Sequence, residues 1–274
     1  QAMETKTIND REGLLEDIRQ ARKIVLCAHV SPDGDCLGSQ LALMHALRSL
    51  GKRVTCVLAE DDGCVDEAFS FMPGLDGIVS PSAFDGPIGV FIGVDVPTVA
   101  RIGNAASLHA KAPFKVTIDH HAVESTMADL VYVDPDAAAT AQLIWELAGQ
   151  LAERRDAAIA TCAYTGLVTD TGRFQYQNTD AAAMRAAAEM VDLAMASGVN
   201  YYDTAWTYHE GESEPFLGQA LKEYPRESYY LATKLPCWLV DSREKAAELF
   251  HTQLERLDRD YVDFYLLHSL SRRT

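Results

Sequence analysis

The strongest constraint in this sequence is a rhythm. Across the first two thirds, short apolar runs of strand length alternate with stretches patterned as helices. KIVLCAHV (23–30), RVTCVLAE (53–60), GVFIGVD (89–95) and FKVTIDHH (114–121) read as strands, and LGSQLALMHALRSLG (37–51), ATAQLIWELAGQLAE (139–153) and AAIATCAYTGLVTD (157–170) read as helices. Strands that are apolar throughout belong to a sheet buried on both faces, so the chain reads as an α/β protein with a parallel sheet and helices on both faces. Gly51 ends the first helix, and the Pro/Gly cluster from Pro73 to Pro87 marks an irregular connection. In such folds ligands collect beyond the carboxyl ends of the strands, where the strand order reverses. Polar residues just after strands therefore carry the information.

The rhythm continues past Asn178, but its chemistry changes. NTDAAAMRAAAEMVDLAMASG reads as one capped helix ending at Gly198. VNYYDTAWTYH (199–209), a helix near 213–224, SYYLATKLP (228–236), a helix near 242–258 and YVDFYLLHS (261–269) follow. With no internal repeat and no low-complexity linker, motif content sets the seam near 190, giving domains 1–190 and 191–274.

Charge narrows the partners. The 274 residues carry 40 acidic against 24 basic side chains, a formal net charge of −16. Such a surface repels polyphosphate backbones and anionic lipid, which argues against long duplex nucleic acid and against a membrane. A short anionic substrate held by local metal ions fits. No run of about 18 apolar residues occurs, and the polar start lacks the basic-then-apolar order of an export signal. Six cysteines (Cys27, Cys36, Cys56, Cys64, Cys162, Cys237) are scattered singly with no C-x-x-C pair. A cytoplasmic protein with reduced, mostly buried thiols is expected. The first residue is Gln, as in an incomplete reading of a longer chain.

Four groups of polar residues stand at element ends. His29, Asp33 and Asp35 share a turn with Pro32 and Gly34; Asp95 follows the third strand; Asp119, His120 and His121 follow the fourth; Asp170 ends a later helix. Mixed imidazole and carboxylate ligands suit Mn²⁺, Fe²⁺ or Zn²⁺, and the acid-rich set tilts towards Mn²⁺. Two ions about 3.5–4 Å apart, sharing one carboxylate, would lower the pKa of a water and clamp a phosphoryl group for in-line attack. Singly, each group has a plainer explanation: Asp33 and Asp35 as turn residues, His45 or His109 as packing residues, Asp119 as a support for its neighbours. Those explanations strain at four groups in series.

HVSPDGDCLGS, VDVPTVARIG, IDHH and LVTDTGRF, in this order, resemble the four motifs of the DHH-family phosphoesterases, in particular the group containing nanoRNase/pAp phosphatase, over roughly residues 10–190. The resemblance implies that His29, Asp33 and Asp95 hold one Mn²⁺, and that Asp35, Asp95, His120 and Asp170 hold the other, with Asp95 bridging. Mg²⁺ or another divalent ion would be an alternative occupant. It further implies that His121 contacts the scissile phosphate and donates to the leaving oxygen, and that Asp119 fixes an imidazole. Arg101 either meets phosphate or is a structural or exposed arginine. The implied activity is Mn²⁺-dependent, two-metal hydrolysis of short oligonucleotides or 3′-phosphoadenosine 5′-phosphate. Members of this group continue into a second domain whose GGGH-type motif grips the substrate. No GGGH and no glycine-rich stretch follows Gly172 here, so impaired activity is expected, because that domain's positioning supplies much of the rate.

A second set lies beyond the seam. Asp203 ends one strand with Tyr208 five residues on, Lys234 ends the next and His268 the third. A phenol donates a proton at neutral pH when an ammonium lowers its pKa and a carboxylate holds that ammonium. Tyr208, Lys234 and Asp203 would fill those roles, with His268 orienting a carbonyl; taken plainly, Tyr208 is a surface aromatic and Lys234 a solvated charge. Roughly residues 190–274 are similar to the aldo-keto reductases, whose (β/α)₈ barrel typically needs about 250 residues. The resemblance covers a partial (β/α) barrel segment of about three strands, too few to close. The tetrad is therefore expected to be vestigial and NADPH not to bind, since the cofactor-holding loops of that family are absent and no G-x-G-x-x-G occurs. The sequence thus reads as a chimeric fusion. Carbonyl reduction with NADPH, and metal binding without turnover, are the alternatives to a phosphoesterase.

Overall fold

A computed structural model describes residues 6–7, 11–152 and 154–269. It divides into two compact units, Gln1–Thr171 with Gln177–Met190, and Gly172–Tyr176 with Val191–Thr274.

The first unit is built on a parallel sheet of β1 (Lys6–Thr7), β2 (Lys23–Cys27), β3 (Arg53–Val57), β4 (Val90–Val94), β5 (Phe114–Asp119) and β6 (Leu130–Val133), in the spatial order β1-β6-β5-β4-β2-β3. β4, whose five residues are apolar apart from Gly93, is buried at every position, as a central strand covered on both faces must be. β6 is a strand that the apolar pattern does not single out. Its four residues LVYV are flanked by Asp129 and Asp134. Pairing with β5 from Val116↔Leu130 to Asp119↔Val133 gives it a place that its own sequence signals weakly.

Helices α1 (Arg11–Gln20), α2 (Gly34–Ser49), α3 (Ala106–Lys111), α4 (Thr140–Leu151), α5 (Ala157–Asp170) and α6 (Ala181–Ala196) complete the chain order. α2 packs against α4 and α5 and is buried almost all round: Leu37, Leu41, Leu43, Met44 and Leu47 are each 1% exposed or less. That accounts for the apolar residues on every side of it between Leu37 and Leu47. Its first turn is closed by Asp33, whose carboxylate accepts from the Cys36 N–H at 2.9 Å. On the opposite face of the sheet Val25, Cys27, Val57 and Phe91 pack with Ile102, Ala105 and Leu108 from the 3₁₀ stretch Val99–Ala105 and α3. His109 and His45 are packing histidines, their Nε2 atoms 2.6 Å from the Met127 carbonyl and 2.9 Å from the Pro73 carbonyl. All six cysteines are free and four are buried. Among the described residues no helix is long and apolar enough to cross a membrane.

The second unit holds β7 (Tyr201–Asp203), α7 (Ser213–Ala220), β8 (Tyr230–Leu235), α8 (Arg243–Leu257) and β9 (Phe264–Leu267), with the strands parallel in the order β7-β8-β9. This is the partial barrel-type segment. Its core joins Tyr202, Leu217, Leu221, Tyr229, Leu231 and Leu257. The fully buried Glu214 accepts at Oε1 from Thr233 and Gln253, at 2.6 and 2.5 Å, and its Oε2 lies 3.3 Å from the Arg256 guanidinium as an ion pair, without a hydrogen bond of its own among the described residues. Every residue of β9 is exposed.

Candidate metal centre

Strand order in the first unit reverses between β2 and β4: β3 lies on the far side of β2, whereas β5 and β6 lie on the far side of β4. The two strands are paired, with Cys27 opposite Gly93. Their carboxyl ends deliver His29 and Asp95 side by side, and β5 next to β4 delivers Asp119, His120 and His121. The acidic and imidazole groups thus gather at the switch point of the sheet.

Asp95 is the hub. It is 2% exposed, and its backbone is left-handed at φ +57°, a conformation that Asp tolerates better than most side chains and that recurs at functional sites. Its N–H is held by the Ile118 carbonyl at 2.9 Å. Asp95 Oδ2 lies 3.5 Å from His29 Nε2, while Oδ1 lies 3.8 Å from His120 Nε2 and 3.6 Å from His121 Nδ1. On one side, His29 Nε2 is also 3.6 Å from Asp33, and its Nδ1 meets the Val30 carbonyl at 2.7 Å, which fixes the ring. On the other side, His120 Nε2 is 3.9 Å from Asp35 and 3.5 Å from Asp170. His29, Asp33, Asp35, Asp95, His120 and Asp170, far apart in sequence, therefore converge. His29 with Asp33, and Asp35 with His120 and Asp170, form clusters whose ligand-type atoms lie within 4.8 Å of one another.

Charges in the site respond to this crowding. Burial would depress the His29 imidazole, but the neighbouring Asp33 and Asp95 carboxylates outweigh it and raise its pKa to about 10. Asp35 is pushed well above the usual carboxylate range by burial first and by Asp95 and Asp170 next. Asp170 is raised by burial, against the pull of His120 and with the push of Asp95. Buried carboxylates facing one another without a cation disfavour their own ionisation. The nitrogen and oxygen donor set fits divalent ions that would relieve that repulsion.

Asp119 and His121 act as a pair. Asp119 is fully buried, and its Oδ1 accepts from the His120 N–H at 2.8 Å, the His121 N–H at 3.1 Å and His121 Nδ1 at 2.7 Å. The contact with Asp119 is the largest of the influences that raise the His121 pKa. The His121 side chain is 41% exposed and keeps Nε2 outside that bond. Arg101 is exposed, and its carbonyl accepts from the Val30 N–H at 2.8 Å, so its backbone supports the loop after β2. Two neighbours lie outside the set of site residues predicted from sequence. Cys36, 1% exposed, clusters with His29 and Asp33, but burial and the adjacent carboxylates push its thiol pKa up and keep it neutral. Thr140, at the first position of α4, donates its hydroxyl to Asp95 Oδ1 at 2.9 Å and its N–H to Asp35 Oδ2 at 2.8 Å. A Thr opening a helical pattern is the sole sequence signal for it.

In the second unit Lys234 Nζ donates to the Asp203 carboxylate and to the Thr204 carbonyl, the latter at 2.8 Å. It also lies 4.6 Å from the centre of the Tyr208 ring, and Tyr208 and His268 meet edge-on with ring centres 5.6 Å apart. The four residues are thus neighbours at the carboxyl ends of β7, β8 and β9.

Comparison with known proteins accounts for both halves. Over 168 residues the chain is 33% identical to the bifunctional oligoribonuclease and PAP phosphatase NrnA of Thermus thermophilus, a match that covers 61% of this chain and 49% of that protein. The chain therefore spans about half the length of that relative. Over 87 residues it is 33% identical to a probable aldo-keto reductase of Glycine max, covering 29% of this chain and 25% of that one. An exopolyphosphatase-related protein from Bacteroides fragilis shares the fold at a TM-score of 0.61 and 20% identity, covering 90% of this chain and 95% of that one. Residues 171–274 match the aldo/keto reductase family, residues 23–167 match the DHH family N-terminal domain, and the chain belongs to the DHH family with an aldo-keto reductase segment joined to it.

Proposed function

We propose that the first unit hydrolyses phosphoesters in short nucleotides, with short oligoribonucleotides and 3′-phosphoadenosine 5′-phosphate as substrates, using two Mn²⁺ ions. One observation carries this reading: Asp95 stands between His29 and Asp33 on one side and Asp35, His120 and Asp170 on the other, one carboxylate oxygen turned to each. The oligoribonuclease and PAP phosphatase activities of the NrnA relatives support this substrate class. His29, Asp33 and Asp95 would hold one ion, and Asp35, Asp95, His120 and Asp170 the other. Bound ions would neutralise the phosphoryl oxygens and supply a nucleophile from water.

The protein's own groups handle the rest. Asp119 holds Nδ1 of His121, leaving Nε2 to meet the phosphate. The raised pKa keeps that ring protonated further into the neutral range, so His121 can donate a proton to the departing oxygen. An acidic chain favours short substrates gripped at this one point over long polyanions.

A hydrolysis panel of dinucleotides, 3′-phosphoadenosine 5′-phosphate and an aryl phosphate, run with and without Mn²⁺, tests the proposal. Mn²⁺-stimulated release of product is expected, and Asp95→Ala should abolish it. Full activity in the Asp95→Ala protein would remove the metal assignment.

A further inference from the structure

We infer that Thr140 is a positioning residue that fixes both inner carboxylates of the centre at once, and so sets which oxygen of Asp95 serves which ion. The inference rests on the two-metal reading above.

The two carboxylates are held very differently. Asp35 accepts the Thr140 and Ala141 N–H groups, each at 2.8 Å, and the Ser39 hydroxyl at 3.1 Å. It is anchored by the first turn of α4, where free N–H groups and the helix dipole favour an anion. Asp95 has no such anchor. It lies outside any helix or strand, and among the described residues the only hydrogen-bond donor on its carboxylate, apart from the surrounding imidazoles, is the Thr140 hydroxyl at 2.9 Å. Rotation of a carboxylate about its terminal bond is soft, so without that bond the two oxygens of Asp95 could exchange or tilt.

Thr140 removes this freedom. Its hydroxyl reaches Oδ1, the oxygen on the His120 side, and leaves Oδ2 towards His29. The same residue's N–H grips Asp35, a ligand of the His120-side ion. Thr140 is 0% exposed, so water cannot replace the bond. A side chain with a hydroxyl is required at this position, and one of equal size without it is not sufficient.

The test uses the full chain and Mn²⁺ alone. Wild type, Thr140→Val and Thr140→Ser are titrated calorimetrically, and paramagnetic resonance reports the spin-coupled Mn²⁺ pair. Thr140→Val, which keeps the backbone N–H, should weaken one of the two ions by at least about tenfold and diminish the coupled signal. Thr140→Ser should restore both. Melting of the metal-free proteins separates this from loss of fold, and Thr140→Ala replaces the valine variant if that one does not fold. Wild-type affinity and coupling in a folded Thr140→Val or Thr140→Ala protein would overturn the inference, as would a serine variant as weak as the valine one. A wild-type protein that takes up no Mn²⁺ pair would overturn the metal reading itself.

Discussion

His29 shows how strongly single residues in this site are set by their neighbours. Its pKa is raised to about 10 despite burial, against an ordinary value of about 6.5 in the unfolded chain. A base raised in this way stabilises the fold fully below the unfolded value, and that stability is lost as pH climbs through the folded one. Asp35 acts in the same sense. Its raised pKa favours the protonated carboxyl in the fold, so ionising it above the usual carboxylate range also costs stability. The metal-free protein should therefore lose stability between about pH 6.5 and 10, its melting midpoint in EDTA dropping by ~2–4 °C for each kcal/mol lost. Saturating Mn²⁺ should flatten the profile, and His29→Gln should lessen the slope in EDTA. A melting temperature in EDTA that does not fall with pH would contradict this account. The ionisable residues of the site were legible because each stands at or just beyond an element end with glycine, proline or another ionisable group within three residues. Thr140 was not, since its bonds to Asp35 and Asp95 span 105 and 45 positions and its local pattern is that of any helix start.

Among elements, the crossing of α2 and α5 decides whether the site can assemble, because α2 carries Asp35 and α5 ends in Asp170. Gly38 and Gly166 form the contact. A Cβ on Gly38 would stand 2.4 Å from the Cys162 carbonyl oxygen, and one on Gly166 would stand 2.5 Å from the Ala141 side chain and 2.8 Å from Asp35 Oδ1. Backbone lies opposite Gly38, so no side chain can turn aside. Gly38→Ala should force the helices apart and cost about 1–3 kcal/mol, read from urea unfolding of the metal-free protein. Unchanged stability would mean that the helices can part without cost. Gly38 sits inside a motif legible from sequence, yet its partner Gly166 is only visible once two helices are packed. The strands show the same division. β2 to β5 follow from long apolar runs, whereas β6 is four residues between aspartates and exists because β5 offers a free edge.

At the scale of the whole molecule, every residue of the candidate centre belongs to the first unit, and the second carries a separate set of side chains. α6 contributes to the first unit through Glu189, which accepts from Trp145 Nε1 at 3.0 Å and from Arg155 at 3.1 Å. A cut must therefore follow the helix, and Gly198, with φ +92°, marks its end. In the second unit β9 presents Phe264, Tyr265, Leu266 and Leu267 at 45, 37, 42 and 58% exposure. It is also an edge strand without charge or proline, the kind of surface that seeks another strand or an apolar probe. A chain ending at Gly198 should bind Mn²⁺ with affinity within about twofold of the full protein, because every candidate ligand belongs to the first unit. It should also bind less anilinonaphthalene sulfonate and precipitate less readily at equal concentration. Calorimetry and dye fluorescence on the two chains check both parts. Loss of Mn²⁺ binding on shortening would show that the centre depends on residues beyond 198, and unchanged dye binding would clear β9 as the exposed apolar surface.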